Sequence, residues 1–512
     1  MAKRFLMGNE AFAHAALKAG CGLFAGYPGT PSSEVIETVA RLHRDGVAKG
    51  IHVEWSTNEK AALEVAAASA LSGVRSLVTC KQVGLNVASD ALMSLNYLGV
   101  KGGLVILVAD DPGPISSQTE QDTRRFAAFA KVPVLDPATP EQGAEMIAQA
   151  FALSERYRTP VIFRPTTRID HASTFFEFPE ETQPEPALGG GFQRDPEEYV
   201  IFPPRAFQAH GEINERLRAI AFDYTFTPEL AEFNQLFANA GNGPLIRVPA
   251  EEQMEANLPP AKLGIVCGGV STQYAREALQ LLQQQALACG RELPPVRLLQ
   301  LGTPYPFPHR TASRALKDLT DVLVLEELDS VIEEELQKMA SISFLWPRIH
   351  GKLTDDANTR GENSTEDALR RISAFLAKCA GVTGFEKGMA PEGEAEALST
   401  GSASSQDLAA FRYPGSLPAR PAVLCAGCPH RASFLAVKRA LKQLGISRDD
   451  AVFCGDIGCY TLGNAAPLDA VDTCLCMGGG ITMAQGISAV SPDKKAIAFV
   501  GDSTFFASGI TG

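Results

Sequence analysis

Short apolar runs that end in glycine- or proline-bearing turns and pass into amphipathic helices recur along most of this 512-residue chain. The first spans residues 22–27 and closes in Pro28-Gly29-Thr30-Pro31-Ser32 before the helix-patterned stretch 34–42. Ile51, Val53 and Trp55 then alternate as in a strand and lead into the helix-forming run 59–71. Runs 77–80, 104–109, 132–135 and 159–163 continue the rhythm. Strand-sized apolar runs alternating with helices imply a mostly parallel sheet with helices on both faces. Such sheets hold ligands where strand ends meet helix starts, so functional groups are expected in the turns after the strands.

The rhythm divides the chain. Residues 1–182 form a first α/β domain, and 183–258, with Gly189-Gly190-Gly191 and helix-patterned stretches 212–221 and 228–240, read as a helical linker. A second α/β domain covers 259–380. There Gly268-Gly269-Val270-Ser271 is read as a tight strand-to-helix turn, since it lacks the full dinucleotide fingerprint. Glu333-Glu334-Glu335 is read as a solvated helix face. Residues 381–418 are rich in Gly, Ala, Ser, Pro and Glu, as in a flexible connector. A third α/β segment runs over 419–512.

Charge and thiols narrow the function. With 46 Lys+Arg against 59 Asp+Glu the net charge is −13, which argues against a nucleic-acid or anionic-membrane partner. No apolar run approaches the roughly 18 residues of a membrane span. Asn9, Glu10 and His14 break up any signal-peptide core, so a cytoplasmic setting is expected. Eleven cysteines, an odd number, fit reduced thiols better than a disulfide framework. Six of them (Cys425, Cys428, Cys454, Cys459, Cys474, Cys476) crowd into the third segment.

That segment also carries three glycine-bearing turns on successive strand ends: Gly455-Asp456-Ile457-Gly458, Met477-Gly478-Gly479-Gly480 and Gly501-Asp502-Ser503-Thr504. Backbone N–H groups in such turns meet phosphate oxygens, and an Asp just after the strand can hold a hard cation. Taken alone, Gly501-Asp502-Ser503 is more simply an ordinary turn with an Asp cap. Together they look like a diphosphate cradle.

In order along the chain, Gly26-Tyr27-Pro28-Gly29-Thr30-Pro31-Ser32, Ser56-Thr57-Asn58-Glu59-Lys60-Ala61-Ala62, Lys81-Gln82-Val83-Gly84-Leu85-Asn86 and Gly302-Thr303-Pro304-Tyr305-Pro306 precede Cys425-Ala426-Gly427-Cys428-Pro429-His430-Arg431, Gly455 to Gly463 and Gly501-Asp502-Ser503. This series resembles the thiamine-diphosphate-dependent 2-oxoacid:ferredoxin oxidoreductases, and within them the large subunits of the indolepyruvate branch. The resemblance implies an α/β protein of several doubly wound, mostly parallel-sheet domains. Two thiamine-diphosphate-binding-type domains would flank a Rossmann-like domain of the transketolase C-terminal type. It further implies oxidative decarboxylation of an arylpyruvate, with coenzyme A accepting the acyl group. Electrons would pass through iron–sulfur clusters to ferredoxin, and a smaller beta subunit would complete the enzyme. A non-oxidative thiamine decarboxylase and a non-catalytic assembly subunit are the alternatives.

By the same resemblance, Glu59 is the carboxylate that favours the cofactor's reactive tautomer and Thr30 orients substrate. Gly455, Asp456, Gly458, Gly478, Gly479, Gly501, Asp502, Ser503 and Thr504 would bind the cofactor, with Asp502 on Mg2+. The residues alone leave alternatives. Ser56 and Glu59 are also spaced as a capping box, Glu64 is a second candidate carboxylate, and Thr30 can simply shape a turn. The family's small-oxoacid enzymes offer an arginine after the strand at 104–109. This chain has Asp110-Asp111-Pro112-Gly113, which points to an aryl substrate held by ring burial. The substrate anion is then left without an obvious partner, and Arg124 and Arg125 read as surface charges more readily than as that partner. Cys425, Cys428 and Cys459 are candidate [4Fe–4S] ligands, with Cys454, Cys474 or Cys476 as a fourth. Zinc and plain structural thiols are the other readings of this Cys-x-x-C. In the family an Asn beyond the Gly-Asp pair completes the metal site, so the segment is expected to run on past Gly512.

Overall fold

Strand Leu104–Ala109 reads Leu-Val-Ile-Leu-Val-Ala and is buried at all six positions. Continuous apolar runs of this kind belong to parallel strands covered on both faces. In the computed structural model this strand lies inside a six-stranded sheet. The structure describes residues 2–178, 203–249, 252, 258–341, 346–383, 423–472, 477–491 and 493–512. Cys474, Cys476 and most of the expected connector lie outside them. The chain divides into two units, Met1–Gly401 and Ser402–Gly512.

The first unit opens with β1 (Ala2–Met7), which pairs antiparallel with β8 (Ser173–Phe178) as a separate ribbon. The main sheet comprises β2 (Leu23–Gly26), β3 (His52–Trp55), β4 (Ser76–Lys81), β5 (Leu104–Ala109), β6 (Val134–Leu135) and β7 (Val161–Phe163). Their spatial order is β3-β2-β4-β5-β7-β6, all parallel. The order reverses between β2 and β4, so the crevice at their C-terminal ends is the switch point where such sheets bind ligands. One face packs Phe24, Leu77, Val105 and Leu107 against Phe12 and Phe151; the other packs Ala25, Val78, Ile106 and Val108 against Leu63 and Leu92.

The second sheet is built from β9 (Leu236–Ala238), β10 (Ile246–Arg247), β11 (Leu263–Gly268), β12 (Val296–Leu301), β13 (Asp321–Leu325) and β14 (Arg348–His350), in the order β10-β9-β12-β11-β13-β14. Here the structure differs from the expected helical linker. Helix Pro203–Phe226 is present, but the stretch 228–240 holds only the helix Pro228–Ala231 before β9. Leu236, Phe237 and Ala238 are all buried, with β9 antiparallel to β12. A run this short satisfies helix and strand periods equally, and its neighbours in the sheet decide. In the second unit, β15 (Ala451–Cys454) and β16 (Lys495–Ala498) pair in parallel beside the helices Pro429–Gln443 and Gly479–Val490.

Two expectations about charge are corrected. Arg124 is not a surface residue: its side chain is 1% exposed. Its guanidinium donates to Asp122 (2.6 Å), Glu326 (2.7 Å) and the carbonyl of Glu327 (2.7 Å). Nor is the triple-Glu helix a solvated face. Glu333 is buried and accepts the Leu353 N–H, while Glu334 pairs with Arg125. Asp110, Asp136 and Arg164, which follow β5, β6 and β7, bond one another through the Arg164 guanidinium. A Cβ at Gly269 would lie 2.8 Å from Asp136 Oδ1. The C-terminal ends of β5–β7 therefore meet those of β11 and β13 across a buried network of charge. The Gly268-Gly269 turn is filled by a protein carboxylate, as a turn without the nucleotide fingerprint would permit.

Candidate active site

What that network leaves is the β2/β4 crevice. β2 ends at Gly26, where a Cβ would sit 2.3 Å from Thr79 Oγ1 of β4. The turn that follows is fixed from three sides. Gly29 N–H donates to Ser33 Oγ (2.9 Å), Ser32 Oγ donates to Gly29 O (3.0 Å), and Pro31 O accepts from Asn9 Nδ2 (2.6 Å). Thr30 is exposed at its tip, and its carbonyl accepts from Ser116 Oγ at 3.1 Å.

Glu59 begins the helix Glu59–Leu71 but does not cap it. The N-cap is Asn58, whose Oδ1 accepts the Ala61 N–H at 2.8 Å, while Ser56 Oγ turns back to Glu54. The capping box that the spacing allowed is not formed. Glu59 is 7% exposed, and its carboxylate rests on Gly84 of the helix Gln82–Leu98, where a Cβ would lie 2.4 Å from Oε1. Burial pushes its carboxyl above the ordinary value; its own backbone N–H and the charge of Lys81 oppose that shift by less. A desolvated carboxyl that takes its hydrogen bond from its own amide suits proton sharing with a ligand. Glu64 lies on the exposed side of the same helix, paired with Lys60.

Lys81, at the end of β4, was not singled out from the sequence. It is half-buried beside the Gly29 turn, and its Nζ is 3.4 Å from Ser116 O. Burial lowers its pKa, while Asp111 and Glu59 favour the charged form. The cations first considered for a substrate anion are committed elsewhere, Arg124 to the buried network and Arg125 to Glu334 and Asp329. Asp111 is occupied as well: its Oδ2 accepts the N–H groups of Ile115, Ser116 and Ser117, each at 3.1 Å.

In the second unit, the expected glycine turns come together. Asp456 is fully buried and accepts the Gly478 N–H (2.8 Å) and the Ile457 N–H (2.6 Å). Burial raises its carboxyl, against those amides. Gly478 adopts a left-handed φ of 84° and precedes Gly479, the first residue of its helix. A Cβ on Gly478 would meet Ser508 Oγ at 2.4 Å, and one on Gly480 would meet Gly455 O at 3.0 Å. Tyr460, also missed from sequence, lies against both Gly458 and Gly501, and its hydroxyl joins Ile457 O (2.9 Å) to Thr504 Oγ1 (2.8 Å). Asp456, Tyr460 and Thr504 thus brace the turns with their side chains. Asp502 and Ser503 stay exposed, with the Ser503 N–H on Asp502 Oδ1. The buried Glu59 carboxylate over Gly84 and the tight glycine turns both fit thiamine diphosphate, and Asp502 is exposed, as a cation ligand would need to be.

Cys425 and Cys459 are exposed, Cys428 is half-buried and Cys454 is buried. Among the described residues, no three donors that include any of these four lie within 4.8 Å of one another. No helix among the described residues is long and apolar enough to cross a membrane.

Residues 14–207 match the family described as "Pyruvate flavodoxin/ferredoxin oxidoreductase, thiamine diP-bdg". Residues 456–511 match "Thiamine pyrophosphate enzyme, C-terminal TPP binding domain". Indolepyruvate oxidoreductase subunit IorA of Methanothermobacter marburgensis is 40% identical over 507 residues, covering 99% of this chain and 71% of that one. The subunit of the same name from Thermococcus kodakarensis is 37% identical over 521 residues, with the same coverage of each chain. A solved 2-oxoglutarate:ferredoxin oxidoreductase from Magnetococcus marinus matches 73% of this chain and 65% of its own, with a TM-score of 0.51 at 15% identity. At that identity the likeness shows the fold alone.

Proposed function

Because this chain belongs to the indolepyruvate oxidoreductase IorA family of 2-oxoacid:ferredoxin oxidoreductases, we propose that it oxidatively decarboxylates an arylpyruvate such as indolepyruvate. Coenzyme A would accept the acyl group, and electrons would pass through iron–sulfur clusters to ferredoxin. The coarser activity, thiamine-diphosphate-dependent oxidation of a 2-oxo acid by a multi-subunit enzyme, comes with membership of the family. The observation that carries the reading is the buried Glu59 carboxylate on Gly84 at the sheet's switch point.

Each residue then has a defined task. Thiamine diphosphate, when bound, supplies a carbon nucleophile for the keto carbon and an electron sink for loss of CO2. Glu59 would share a proton with a ring nitrogen of the aminopyrimidine, a task favoured by the raised affinity for protons that burial gives it. Thr30 would orient the keto group, and Lys81 would pair with the substrate's carboxylate. The Gly455–Gly458, Gly478–Gly480 and Gly501–Thr504 turns would hold the diphosphate through backbone N–H groups, with Asp502 on Mg2+. Cys425, Cys428 and Cys459 are the proposed cluster ligands. The Asp110-Asp111 pair after β5, in place of an arginine, and the indolepyruvate in the name of the relatives both support an aryl side chain.

The enzyme assembled with its partner subunit tests the reading. Dye reduction is expected to require thiamine diphosphate and coenzyme A, and kcat/KM should be higher for indolepyruvate than for pyruvate or 2-oxoglutarate. Glu59→Gln is expected to lower kcat by about 10²–10⁴-fold, the usual worth of a positioned proton-transfer group. Release of the aldehyde without electron transfer, or a preference for pyruvate, would refute the substrate and reaction assigned.

A further inference from the structure

The opposite end of the second sheet, where its parallel strands begin, carries a cluster that the reaction does not use. Asp321 opens β13 and pairs in register with Arg348 of β14, so His350, two residues on, shares its face of the sheet. Cys379 reaches the same point from the last turn of the helix Thr365–Ala380. Asp321 Oδ1 is 3.0 Å from His350 Nε2, and Cys379 Sγ is 3.8 Å from the same nitrogen. These three donor atoms lie within 4.8 Å of one another, and Asp321 and His350 are buried. On the far side of the ring, His350 Nδ1 is 3.2 Å from Asp356 Oδ2, a carboxylate that Lys378 also holds.

A neutral imidazole carries one ring proton, yet both nitrogens face carboxylates. With the proton on Nδ1 toward Asp356, Nε2 turns a lone pair toward an Asp321 oxygen and the Cys379 sulfur. Something positive belongs between them. Separations of 3–4 Å are the edges of a tetrahedron whose metal–ligand bonds measure about 2.0–2.3 Å. A carboxylate on the far nitrogen is the usual partner of a metal-bound histidine, fixing its tautomer. An open pocket of about 470 Å3, walled by Cys379, Thr320, Lys262 and Arg297, brings solvent to the cluster.

We propose that Asp321, His350 and Cys379 bind one borderline-soft divalent cation of the Zn2+ class, with water as the fourth ligand. Thiolate and imidazole donors select Zn2+ or Co2+ over Mg2+ and Ca2+. Coordination replaces the thiol proton of Cys379, which leaves to solvent; no electron moves. Arg348 bonds both oxygens of Asp321, at 2.8 and 3.0 Å, but its side chain is 76% exposed. It can release one oxygen to the ion and keep the other. Such an ion pins the end of the helix Thr365–Ala380 to the strands it covers, at the end of the second sheet opposite the one that meets the first sheet.

The competing account is an imidazolium bridging the two carboxylates with no metal. The full chain, stripped of metal with a chelator, is titrated with Co2+, and Cys379→Ser and His350→Gln are titrated in parallel. The wild type is expected to take up one more equivalent than either variant. Its thiolate-to-Co2+ absorption should exceed that of Cys379→Ser, and Co2+ should raise the thermal midpoint of the wild type more than that of either variant. The other cysteines contribute equally to all three proteins, so the difference isolates this site. If Cys379→Ser does not fold, His350→Gln and Cys379→Ala carry the same comparison. Folded variants with wild-type Co2+ uptake and absorption, or a wild type that takes up no ion, would overturn the proposal.

Discussion

Gly84→Ala separates stability from activity in opposite directions. The glycine is third in the helix Gln82–Leu98 and has no positive φ, so alanine fits its backbone. On helix propensity alone the substitution is favourable by up to about 1 kcal/mol. The new methyl would lie 2.4 Å from Glu59 Oε1 and 2.8 Å from Cδ and Cγ. Carbon contacts are comfortable at about 3.5–4.0 Å, so the carboxylate must retreat by roughly 1 Å. Only the end of a side chain has to move, which leaves the fold intact. A displacement of about 1 Å at a reacting group costs on the order of 10²-fold in turnover. Gly84→Ala is therefore expected to keep or raise the thermal midpoint, retain thiamine diphosphate, and lose about two orders of magnitude in kcat at saturating 2-oxo acid. Both changes act through one carboxylate, so the double variant Glu59→Gln/Gly84→Ala should be little worse than Glu59→Gln alone. A kcat within about threefold of wild type would show that the position of the Glu59 carboxylate does not matter, and the role assigned to it would fall.

Lys81→Met should raise KM for the 2-oxo acid by about 10–100-fold, the worth of one charge-assisted hydrogen bond, with kcat changed much less. Lys81→Arg should recover most of the loss in steady-state assays, and an unchanged KM in Lys81→Met would refute the pairing. Glu327 accepts the Asn363 N–H at 3.0 Å, and burial pushes its carboxyl up to about 7 against the charge of Arg164. A raised carboxyl contributes stability that is complete below its unfolded value, about 4.3, and is lost as pH rises through about 7. Glu327→Gln should accordingly gain on wild type in thermal midpoint between pH 5 and pH 8. Parallel pH profiles for the two proteins would contradict the buried, protonated state.

The alternation of strands and helices is local information, and it was legible: an apolar run such as 104–109 states its burial in its own letters. The turns that follow β2, β15 and β16 were legible for the same reason, since glycine and proline mark chain reversal wherever they stand. Charge was not legible, because the environment of a charged side chain is set by what lies across space from it. Arg124 and Glu326 are 202 residues apart in the chain yet 2.7 Å apart in the fold. Nothing near Arg124 in sequence distinguishes it from a solvated arginine. Lys81 was overlooked for the converse reason: a lysine opening a helix is unremarkable until β2 and β4 are neighbours and Glu59 lies beside it. This difference bears on function. Asp110, Asp136 and Arg164 follow β5, β6 and β7, and both carboxylates are paired within the protein by that one guanidinium. Glu59 is also buried, and Lys81 acts on it as a nearby charge. Buried carboxylates at strand ends that already have guanidinium partners hold domains together. The one at the switch point whose hydrogen bond, among the described residues, comes from its own amide is the one placed to share a proton with a ligand.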